Sequence, residues 1–411
     1  MMIGCAPRIP SLPRVVQNHI VPQAFEWQHK DISKVEFKET TDIESHRHRS
    51  TKELFNLVKA KLDQLDYRPR NYSGIKATLI MSVPEKDLDR RDRDQSRKTA
   101  GNWGRFERVT PDFKPVWIPV ETNLNLAGLL AVHDQTHPYV ILLPGTFDGR
   151  DGLYVRDTAL LCYRHGYNVL VMEMRNHGQS IEHWISIGWK EGRDVLAAAK
   201  WLKMKGGDRI AGEQLSVAVI GFSLGAWYGI RAAYDASVTS QEHLLNGGVI
   251  AFNPPVNIKE TVLDWNRKEF RGCELTLRSQ VFKQFDSYLR KRIKELGKET
   301  EFKAAGETFD VYVELATNAQ QLSREEVYQR AVLSPEQIAE KVRVPVVVYH
   351  AEDDPLVDVK HSQNLKRAIE MNDSGYIKVI IKKKGGHIAL HEVEPQYYVN
   401  LILTVLEGLK R

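Results

Sequence analysis

The chain has 411 residues, more than one typical domain needs and fewer than three would, so one large domain, or one domain with additions, is expected. Hydrophobic residues make up 42% and charged residues 27%, which excludes a mostly disordered, collagen-like or multi-span membrane protein. The net charge of +5 is small, and no Lys/Arg run is interleaved with aromatic residues, so nucleic acid is disfavoured as a partner. Three widely spaced cysteines suggest neither a disulfide framework nor a cysteine-based zinc site.

The first residues allow two interpretations of where the protein resides. A small residue precedes Cys5 and a proline follows it closely, as at the end of a bacterial lipoprotein signal, but the charged start and the apolar segment are absent. An untargeted, cytoplasmic protein is therefore favoured. The alternative is a lipid anchor through Cys5 in the bacterial cell envelope, which requires translation to start upstream of Met1. No run approaches the roughly 18 apolar residues of a membrane-spanning helix.

Residues 1–110 form a predicted N-terminal extension, partly ordered and without an assigned role. Apolar residues recur at helical intervals over Thr51–Leu65, which predicts an amphipathic helix. A short strand is predicted at Ala77–Val83. The stretch from Glu85 to Lys98 is charged with alternating sign, which is typical of a solvated helix face or a linker.

Residues 111–411 have the sequence pattern of an α/β domain. Short β-branched runs alternate with longer helical patterns, which predicts a doubly wound, mostly parallel sheet with helices on both faces. Eight strands are predicted, at Val116–Val120, Leu126–Val132, Tyr139–Leu143, Asn168–Met172, Ser216–Phe222, Gly248–Phe252, Val344–Tyr349 and Ile377–Lys382. Helices are predicted at about 152–165, 188–204, 224–236, 359–370 and 394–409.

One interval, about residues 254–342, breaks this alternation. It contains no strand-like run, and structureless loops of such length are rare in compact domains. We therefore expect an inserted helical cap over the strand ends. Its apolar positions, Phe282 and Phe285 among them, recur at helical intervals, so they can pack on the core or line a pocket.

The pattern G-x-S-x-G spans Gly221 to Gly225, after the apolar run Val217–Ile220 and before the helical stretch Ala226–Ala236. A chain that turns sharply from strand to helix has no room for side chains beside the serine, which accounts for both glycines. This context favours a nucleophile elbow at Ser223 over an ordinary serine in a Gly-rich turn.

A serine needs a base to become a nucleophile, and the base needs an orienting carboxylate. Both residue types follow later strands. Asp353, Asp354 and Asp358 come after the strand Val344–Tyr349, and His387 comes directly after two glycines beyond the last strand.

This chain order of serine, aspartate and histidine resembles the α/β-hydrolase superfamily over about residues 116–409. The loop Leu143–Thr146 takes the place of the family's His-Gly oxyanion loop, with Pro144 where histidine is usual. Met174–Ser180 matches the family's R-x-x-G-x-S turn. Ala251–Pro255, the long insert and the Gly-Gly-His pattern are most similar to the YheT-like branch, whose members are carboxylic-ester or lipid hydrolases.

The resemblance implies a role for each residue of a triad. Ser223 would attack an acyl carbonyl, His387 would take its proton, and an aspartate would orient the imidazole. Aligning Ala351 with the family's usual glycine in G-x-x-D-x-x-V places Asp354 at the acid position, with Asp353 as the runner-up.

The resemblance also implies an oxyanion hole made of two backbone N–H groups. One belongs to Leu224, directly after the serine, and the other to Thr146 in the Pro-Gly loop, with Phe147 as a second candidate.

The other histidines are expected to be structural. His391 lies four residues past His387 and is assigned to packing or the surface, whereas His165, His177 and His350 occur singly. No pair has metal-site spacing and no Gly-rich phosphate loop follows a strand, so neither a metal nor a cofactor is predicted.

Together these features predict a serine hydrolase that cleaves carboxylic esters without a cofactor. The resemblance favours a small-molecule or lipid ester as substrate, and with a lipid ester it allows peripheral contact with a membrane. An acyltransferase using the same triad, or a non-catalytic ligand-binding protein on the same scaffold, are the alternatives. A peptidase is less favoured, and an epoxide hydrolase would need an acid at position 223. The sequence leaves the oligomeric state open.

Overall fold

The fold is given by a computed structural model, which describes residues 32, 35–37, 49–71, 78, 112–146, 150, 152–180, 185–206, 215–266, 290, 293–294, 297–305, 310–311, 313–314 and 321–410. A strand was predicted at Ala77–Val83, but Thr78, the described residue of that range, is helical, and the other residues of the range lie outside those described. Cys5, the charged stretch Glu85–Lys98, Phe282 and Phe285 also lie outside them.

The described residues form one eight-stranded sheet. In chain order the strands are β1 (Lys114–Glu121), β2 (Leu124–Ala131), β3 (Tyr139–Leu143), β4 (Asn168–Met172), β5 (Val217–Phe222), β6 (Val249–Phe252), β7 (Val346–Ala351) and β8 (Ile377–Lys382). Their order in the sheet is β1-β2-β4-β3-β5-β6-β7-β8. The pairs β1–β2 and β2–β4 are antiparallel and the others are parallel, so the predicted mostly parallel α/β sheet is confirmed.

The helices of the described residues, numbered in chain order, are α1 (Thr51–Asp63), α2 (Leu153–Arg164), α3 (Trp189–Lys205), α4 (Leu224–Val238), α5 (Ile258–Asn266), α6 (Glu299–Ala304), α7 (Arg324–Ala331), α8 (Pro335–Lys341), α9 (Lys360–Met371), α10 (Leu390–Val393) and α11 (Pro395–Leu409). The five helices predicted between the strands and after the last strand are all present, as α2, α3, α4, α9 and α11.

Strand β7 begins two residues later and ends two residues later than predicted. Pro345 has no N–H group to donate to a neighbouring strand, so pairing with β8 starts at Val346. It continues through His350 and Ala351, which pair with Ile381 and Lys382. The predicted range ends at Tyr349, whereas the observed strand continues through His350, whose side chain is buried.

The sheet separates two hydrophobic cores. Successive side chains of a strand point to opposite faces, and a strand buried on both faces is apolar throughout. In β3, Ile141 and Leu143 face the core shared with α3 and α4, whereas Val140 and Leu142 face the core shared with α2 and α11. Burying each such side chain stabilises the fold by about 1.5–3 kcal/mol.

Helix α1 joins the second of these cores. A capping box starts it: Ser50 Oγ accepts the N–H of Glu53, and the Glu53 carboxylate accepts the N–H of Ser50 at 2.8 Å. The buried residues Phe55 and Val58 belong to the core that contains α11, against which α1 packs. The amphipathic helix predicted at Thr51–Leu65 is therefore present, and it packs on the body of the fold.

The interval between β6 and β7 contains α5, α6, α7 and α8. Helix α8 starts with Pro335 behind a capping box formed by Ser334 and Gln337, and it packs against α9 and α4 in the layer that covers one face of the sheet. Residues 267–289 lie outside the described residues. A cap over the strand ends therefore stays a prediction.

The parallel strands β3 to β8 all end at one edge of the sheet. In a doubly wound sheet, ligands bind outside the carboxyl ends of the strands, where loops bring distant parts of the chain together. Each candidate residue of the predicted triad lies in a loop that follows one of these strands.

Candidate active site

Ser223 lies at the turn between β5 and α4. Its backbone has φ of 51° and ψ of −118°, a combination that L-amino acids rarely adopt. The N–H group of Ser223 donates to the carbonyl of Phe252 at 2.9 Å, which ties the turn to the end of β6. A strained serine on a sharp strand-to-helix turn is the backbone geometry of a nucleophile elbow.

The two glycines of the pattern are required by close approach of the backbone. A Cβ atom at Gly221 would lie 2.4 Å from the carbonyl oxygen of Gly225. A Cβ atom at Gly225 would lie 2.4 Å from the carbonyl oxygens of both Leu143 and Pro144. These distances are far below van der Waals contact. A side chain at position 221 would therefore force the turn itself open, and one at position 225 would force the elbow away from the loop after β3.

Asp354 follows β7, and its side chain is fully buried. Its Oδ1 accepts the N–H groups of Leu356 at 2.8 Å and Val357 at 3.0 Å. Its Oδ2 accepts from the side-chain amide of Asn253 at 2.7 Å and from Nδ1 of His387 at 2.8 Å. Both carboxylate oxygens are therefore held in place.

The pKa of the Asp354 carboxyl is held well below its usual range. Burial alone raises this pKa, but the charge of His387 and the hydrogen bonds from His350 and His387 outweigh burial. The Nε2 atom of His350 lies 3.5 Å from Oδ2 of Asp354. The carboxyl group consequently stays ionised although its side chain is buried.

This carboxylate determines where the His387 ring carries its proton. An ionised carboxylate only accepts, so Nδ1 of His387 must be protonated to donate to Oδ2. The neutral ring has one proton, which leaves a lone pair on Nε2. His387 is 5% exposed, so this basic nitrogen belongs to a nearly buried ring.

The loop that carries His387 packs closely against β7. Gly385 has φ of 149°, and a Cβ atom there would lie 2.5 Å from the hydroxyl oxygen of Tyr349, so glycine is required. The backbone N–H of His387 donates to the hydroxyl oxygen of Thr78 at 2.7 Å. Thr78 precedes the sheet in the chain by many residues, so the N-terminal segment reaches this loop.

The three aspartates after β7 have different contacts. Asp353 accepts the backbone N–H of Gly386 at 2.8 Å, and burial raises the pKa of its carboxyl despite this hydrogen bond. Asp358 accepts the N–H of Lys360 at the start of α9, at 2.8 Å. Of the three, Asp354 is the one that the structure places in contact with the imidazole of His387, and its role as the acid stays a prediction.

Ser223 is connected to the Asp354–His387 pair through the end of β6. Phe252 accepts the N–H of Ser223, and the next residue, Asn253, donates both to Asp354 and to the carbonyl of Gly386, at 2.7 and 3.1 Å. Strands β5, β6, β7 and β8 are consecutive in the sheet. The structure therefore places Ser223, Asp354 and His387 on neighbouring strand ends, with Asp354 and His387 in direct contact.

The loop after β3 lies beside the elbow. The N–H group of Gly145 donates to the hydroxyl of Tyr154 at 2.9 Å, so this amide already has an acceptor within the protein. The next amide belongs to Thr146, which is partly buried, whereas Phe147 lies outside the described residues. Leu224 is the first residue of α4, and the N–H groups of a first helical turn have no acceptor within the helix.

The segment Met174–Ser180 follows β4 and is hydrogen-bonded to β2 and to α3. Ser180 Oγ accepts the N–H of Ala127 at 2.9 Å, and Arg175 forms two hydrogen bonds with buried Asp194, at 2.6 and 2.7 Å. The structure gives this segment a role in packing and hydrogen bonding at the end of β4.

Asn253 and His350 are residues at the site that sequence reasoning missed. Asn253 is almost fully buried with φ of 52°, a conformation that asparagine tolerates better than most residues. His350 was expected to be structural, and its Nδ1 does lie 2.7 Å from Ser362 Oγ. It nevertheless also lies beside Asp354. The sequence signal that could have indicated His350 is a histidine at the end of an otherwise apolar strand.

His391 and His177, two histidines expected to be structural, are both buried. His391 is buried, and its ring lies 5.7 Å from that of Tyr398 between centroids. His177 donates from Nδ1 to the carbonyl of Arg175 at 2.8 Å. Within the described residues, no group of three or more histidine, cysteine, aspartate or glutamate side chains could hold a metal ion.

No helix among the described residues is long and apolar enough to cross a bilayer. This observation concerns the described helices, of which α3 is the longest with 17 residues.

An eight-stranded, mostly parallel sheet with a strained serine after its fifth strand and an aspartate–histidine pair after its last two strands is the arrangement of α/β-hydrolase folds. The model of the alpha/beta hydrolase family matches residues 140–401, which is more than half of the chain. The protein belongs to this family. The superfamily resemblance is thereby confirmed, whereas the YheT-like branch stays a prediction.

Solved structures similar to this chain come from several sources. An esterase of Pyrococcus furiosus is 21% identical, with a TM-score of 0.49, covering 75% of this chain and 97% of its own. An acylaminoacyl peptidase of Pyrococcus horikoshii is 14% identical, with a TM-score of 0.48, covering 75% of this chain and 43% of its own. Est1E of Butyrivibrio proteoclasticus, bound to ferulic acid, is 14% identical, with a TM-score of 0.44, covering 70% and 97%. No curated protein matches the chain significantly by sequence.

Proposed function

We propose that the protein is a serine hydrolase that cleaves carboxylic esters through an acyl-enzyme formed on Ser223. The observation that carries the proposal is the hydrogen bond from His387 Nδ1 to the buried, ionised Asp354 beside a strained serine turn. This bond leaves Nε2 of His387 free to act as a base.

The proposed reaction has two halves. Ser223 Oγ attacks the acyl carbon while His387 Nε2 takes the hydroxyl proton, and the tetrahedral intermediate collapses as the same proton passes to the leaving alcohol. Water then attacks the acyl-enzyme, giving one proton to Nε2, and that proton returns to Ser223 as the carboxylic acid leaves. Asp354 stabilises the imidazolium that forms in both halves.

The proposed oxyanion donors are the N–H groups of Leu224 and Thr146. The first lies at the N-terminus of α4, where the helix dipole also favours negative charge. The second follows Gly145, whose own N–H is occupied by Tyr154. A single donor of this kind typically contributes about 10²–10³ in rate.

The proposed substrates are hydrophobic or acyl-lipid esters. Two features support this class: the resemblance to the YheT-like branch, and the helical interval that leaves the sheet after β6, at the edge that holds Ser223. If that interval covers the serine, it supplies an apolar slot. Each additional methylene buried there would contribute roughly 0.8 kcal/mol to binding.

A serine-directed fluorophosphonate tests the nucleophile. We expect one labelled residue, Ser223, because only a hydroxyl beside a base reacts. Ser223→Ala should lose the label with little change in melting temperature. Ser237→Ala is the matched control: Ser237 lies on α4, donates to the carbonyl of Ala233 at 2.7 Å, and should be irrelevant to labelling. Label retained in Ser223→Ala would disprove the assignment.

The substrate class is tested with nitrophenyl esters of increasing acyl length. We expect kcat/KM to rise with chain length until the slot is full. A flat profile would remove the acyl-lipid part of the proposal and leave the nucleophile in place. Adding a primary alcohol and measuring the new ester by mass spectrometry separates hydrolysis from acyl transfer, since a dominant transfer product would favour the acyltransferase.

A further inference from the structure

The loop between β8 and His387 is held by partners from several parts of the chain. The carbonyl of Lys384 accepts the hydroxyl protons of Tyr67 at 2.5 Å and Tyr349 at 2.9 Å. The N–H of His387 donates to Thr78 Oγ at 2.7 Å. Tyr67 and Thr78 both belong to the N-terminal segment, which precedes the sheet in the chain.

The contact with Thr78 involves a backbone group of His387 itself. Thr78 is only 1% exposed, so the amide that donates to it is shielded from water. A buried N–H group without an acceptor is costly, so the loop would shift to find another partner if the hydroxyl were removed. Because the amide and the imidazole share one Cα atom, such a shift would move the ring relative to Asp354.

The N-terminal segment is itself fixed on the elements that flank this loop. The ring of Tyr67 packs edge-on against Tyr397 of α11 at 5.2 Å between centroids. The N–H of Arg70 donates to the carbonyl of Val393 at 3.0 Å, at the end of α10. Helix α1 packs along α11. These contacts anchor α1 and residues 67–70 beside α10 and α11.

From these contacts we propose that Thr78 is a positioning residue for His387, and that the described part of the N-terminal extension, residues 49–71 and 78, thereby supports the catalytic unit. The inference rests on the proposed function of Ser223 and His387. Thr78 touches neither substrate nor a reacting atom: it holds the backbone from which the base extends. Reactions between groups held in place are sensitive to displacements of the order of 1 Å, which can cost about 10²-fold in rate.

Two pairs of variants isolate the hydroxyl. Thr78→Val keeps the shape of the side chain and removes the acceptor, whereas Thr78→Ser keeps the acceptor. Thr78→Ser and Thr78→Ala form a second pair that differs only in the hydroxyl. If Thr78→Val does not fold, comparing these two variants still tests whether the hydroxyl positions His387. We expect kcat to fall about tenfold to a hundredfold in Thr78→Val and Thr78→Ala, with KM little changed and activity largely retained in Thr78→Ser.

The control is Thr404→Val on α11. Thr404 is equally buried, and its hydroxyl has no hydrogen-bond partner among the described residues. This variant should keep full kcat. If Thr404→Val and Thr78→Val lost kcat and melting temperature to the same extent, the role of Thr78 would be merely structural and the proposal would be wrong.

A second measurement does not depend on turnover. The proton on His387 Nδ1, bonded to Asp354, should give a low-field proton resonance that disappears in His387→Ala. We expect it to shift or broaden in Thr78→Val and to stay in place in Thr404→Val. An unchanged resonance together with unchanged kcat in Thr78→Val would overturn the positioning role. If no ester were hydrolysed but the resonance responded to Thr78→Val alone, the positioning role would stand and the proposed function would fall.

Discussion

Replacing Asp354 with asparagine tests whether this residue is the catalytic acid. The hydrogen bonds around its side chain determine how the new amide would be oriented. Leu356 and Val357 both donate backbone N–H groups to Oδ1, so the oxygen of the asparagine amide would take that side. Its NH₂ group would then face two donors, Nδ1 of His387 and the side-chain amide of Asn253. In this buried site the NH₂ group of the asparagine would face two other hydrogen-bond donors and no acceptor.

His387 can relieve this conflict by moving its proton to Nε2, so that Nδ1 accepts from the new amide. That tautomer has no lone pair to receive the proton of Ser223. We therefore expect kcat/KM of Asp354→Asn to fall by a factor on the order of 10⁴, as for triad acids in other enzymes. This factor corresponds to about 5 kcal/mol of lost transition-state stabilisation.

Asp353→Asn is the matched comparison, one residue away in the same loop. Asp353 accepts the N–H of Gly386, and an amide oxygen can accept it equally well, so kcat/KM should change less than about tenfold. The assay is hydrolysis of a nitrophenyl ester by both variants, with melting temperatures measured in parallel. Activity of Asp354→Asn within tenfold of wild type, or a larger loss in Asp353→Asn, would refute the tautomer argument.

Two further predictions concern the histidine and the acid. His387→Ala should abolish ester hydrolysis. His391→Ala should lower the melting temperature and retain hydrolysis, because His391 is buried against Tyr398. Loss of hydrolysis in His391→Ala, with hydrolysis retained in His387→Ala, would assign the base to His391. The folded-state pKa of Asp354 lies below the ordinary value of about 3.9, so its contribution to the free energy of unfolding is present above that pH and is lost as the pH falls further. The difference in melting temperature between wild type and Asp354→Asn should not shrink between pH 7 and about pH 4 and should shrink only at lower pH; a loss that begins at neutral pH would contradict a depressed pKa.

The sheet was predictable because its signals are local. The predicted bounds of β3, β4 and β8 coincide with the observed ones, since each is a short β-branched run between polar or turn-forming residues. The elbow was predictable for the same reason: strand, glycines, serine and helix are contiguous from Val217 onward. A chemical constraint within a few residues leaves a pattern that can be recognised without knowing the fold.

Contacts between distant residues left no such pattern. Asn253 and Asp354 are 101 positions apart, and Thr78 and His387 are 309 positions apart. From the sequence, Asn253 was identified only as part of a segment that resembles the family, and Thr78 only as part of a predicted strand. Their importance to the site follows from which loops meet at one sheet edge, and local periodicity carries no information about that.

The sequence pattern also did not predict which layer of the fold α8 packs in. The capping box at Ser334 and the proline after it are visible in the sequence and mark the start of α8. This helix falls within the interval predicted to be a cap over the strand ends, but the structure packs it against α4 and α9 on one face of the sheet. Hydrophobic spacing shows that a helix has a buried side and does not show which element it is buried against.

The packing of α1 on α11, together with the bond from Thr78 to His387, has a consequence for how the protein is made. Ribosomal synthesis delivers the elbow and the loop after β3 long before β7, β8 and α11 exist. Contacts that span most of a chain close late, because the entropy of the intervening loop must be overcome first. Until the last strands join the sheet, a nascent chain has no histidine beside Ser223, so the proposed hydrolytic activity would arise only when synthesis and folding are nearly complete.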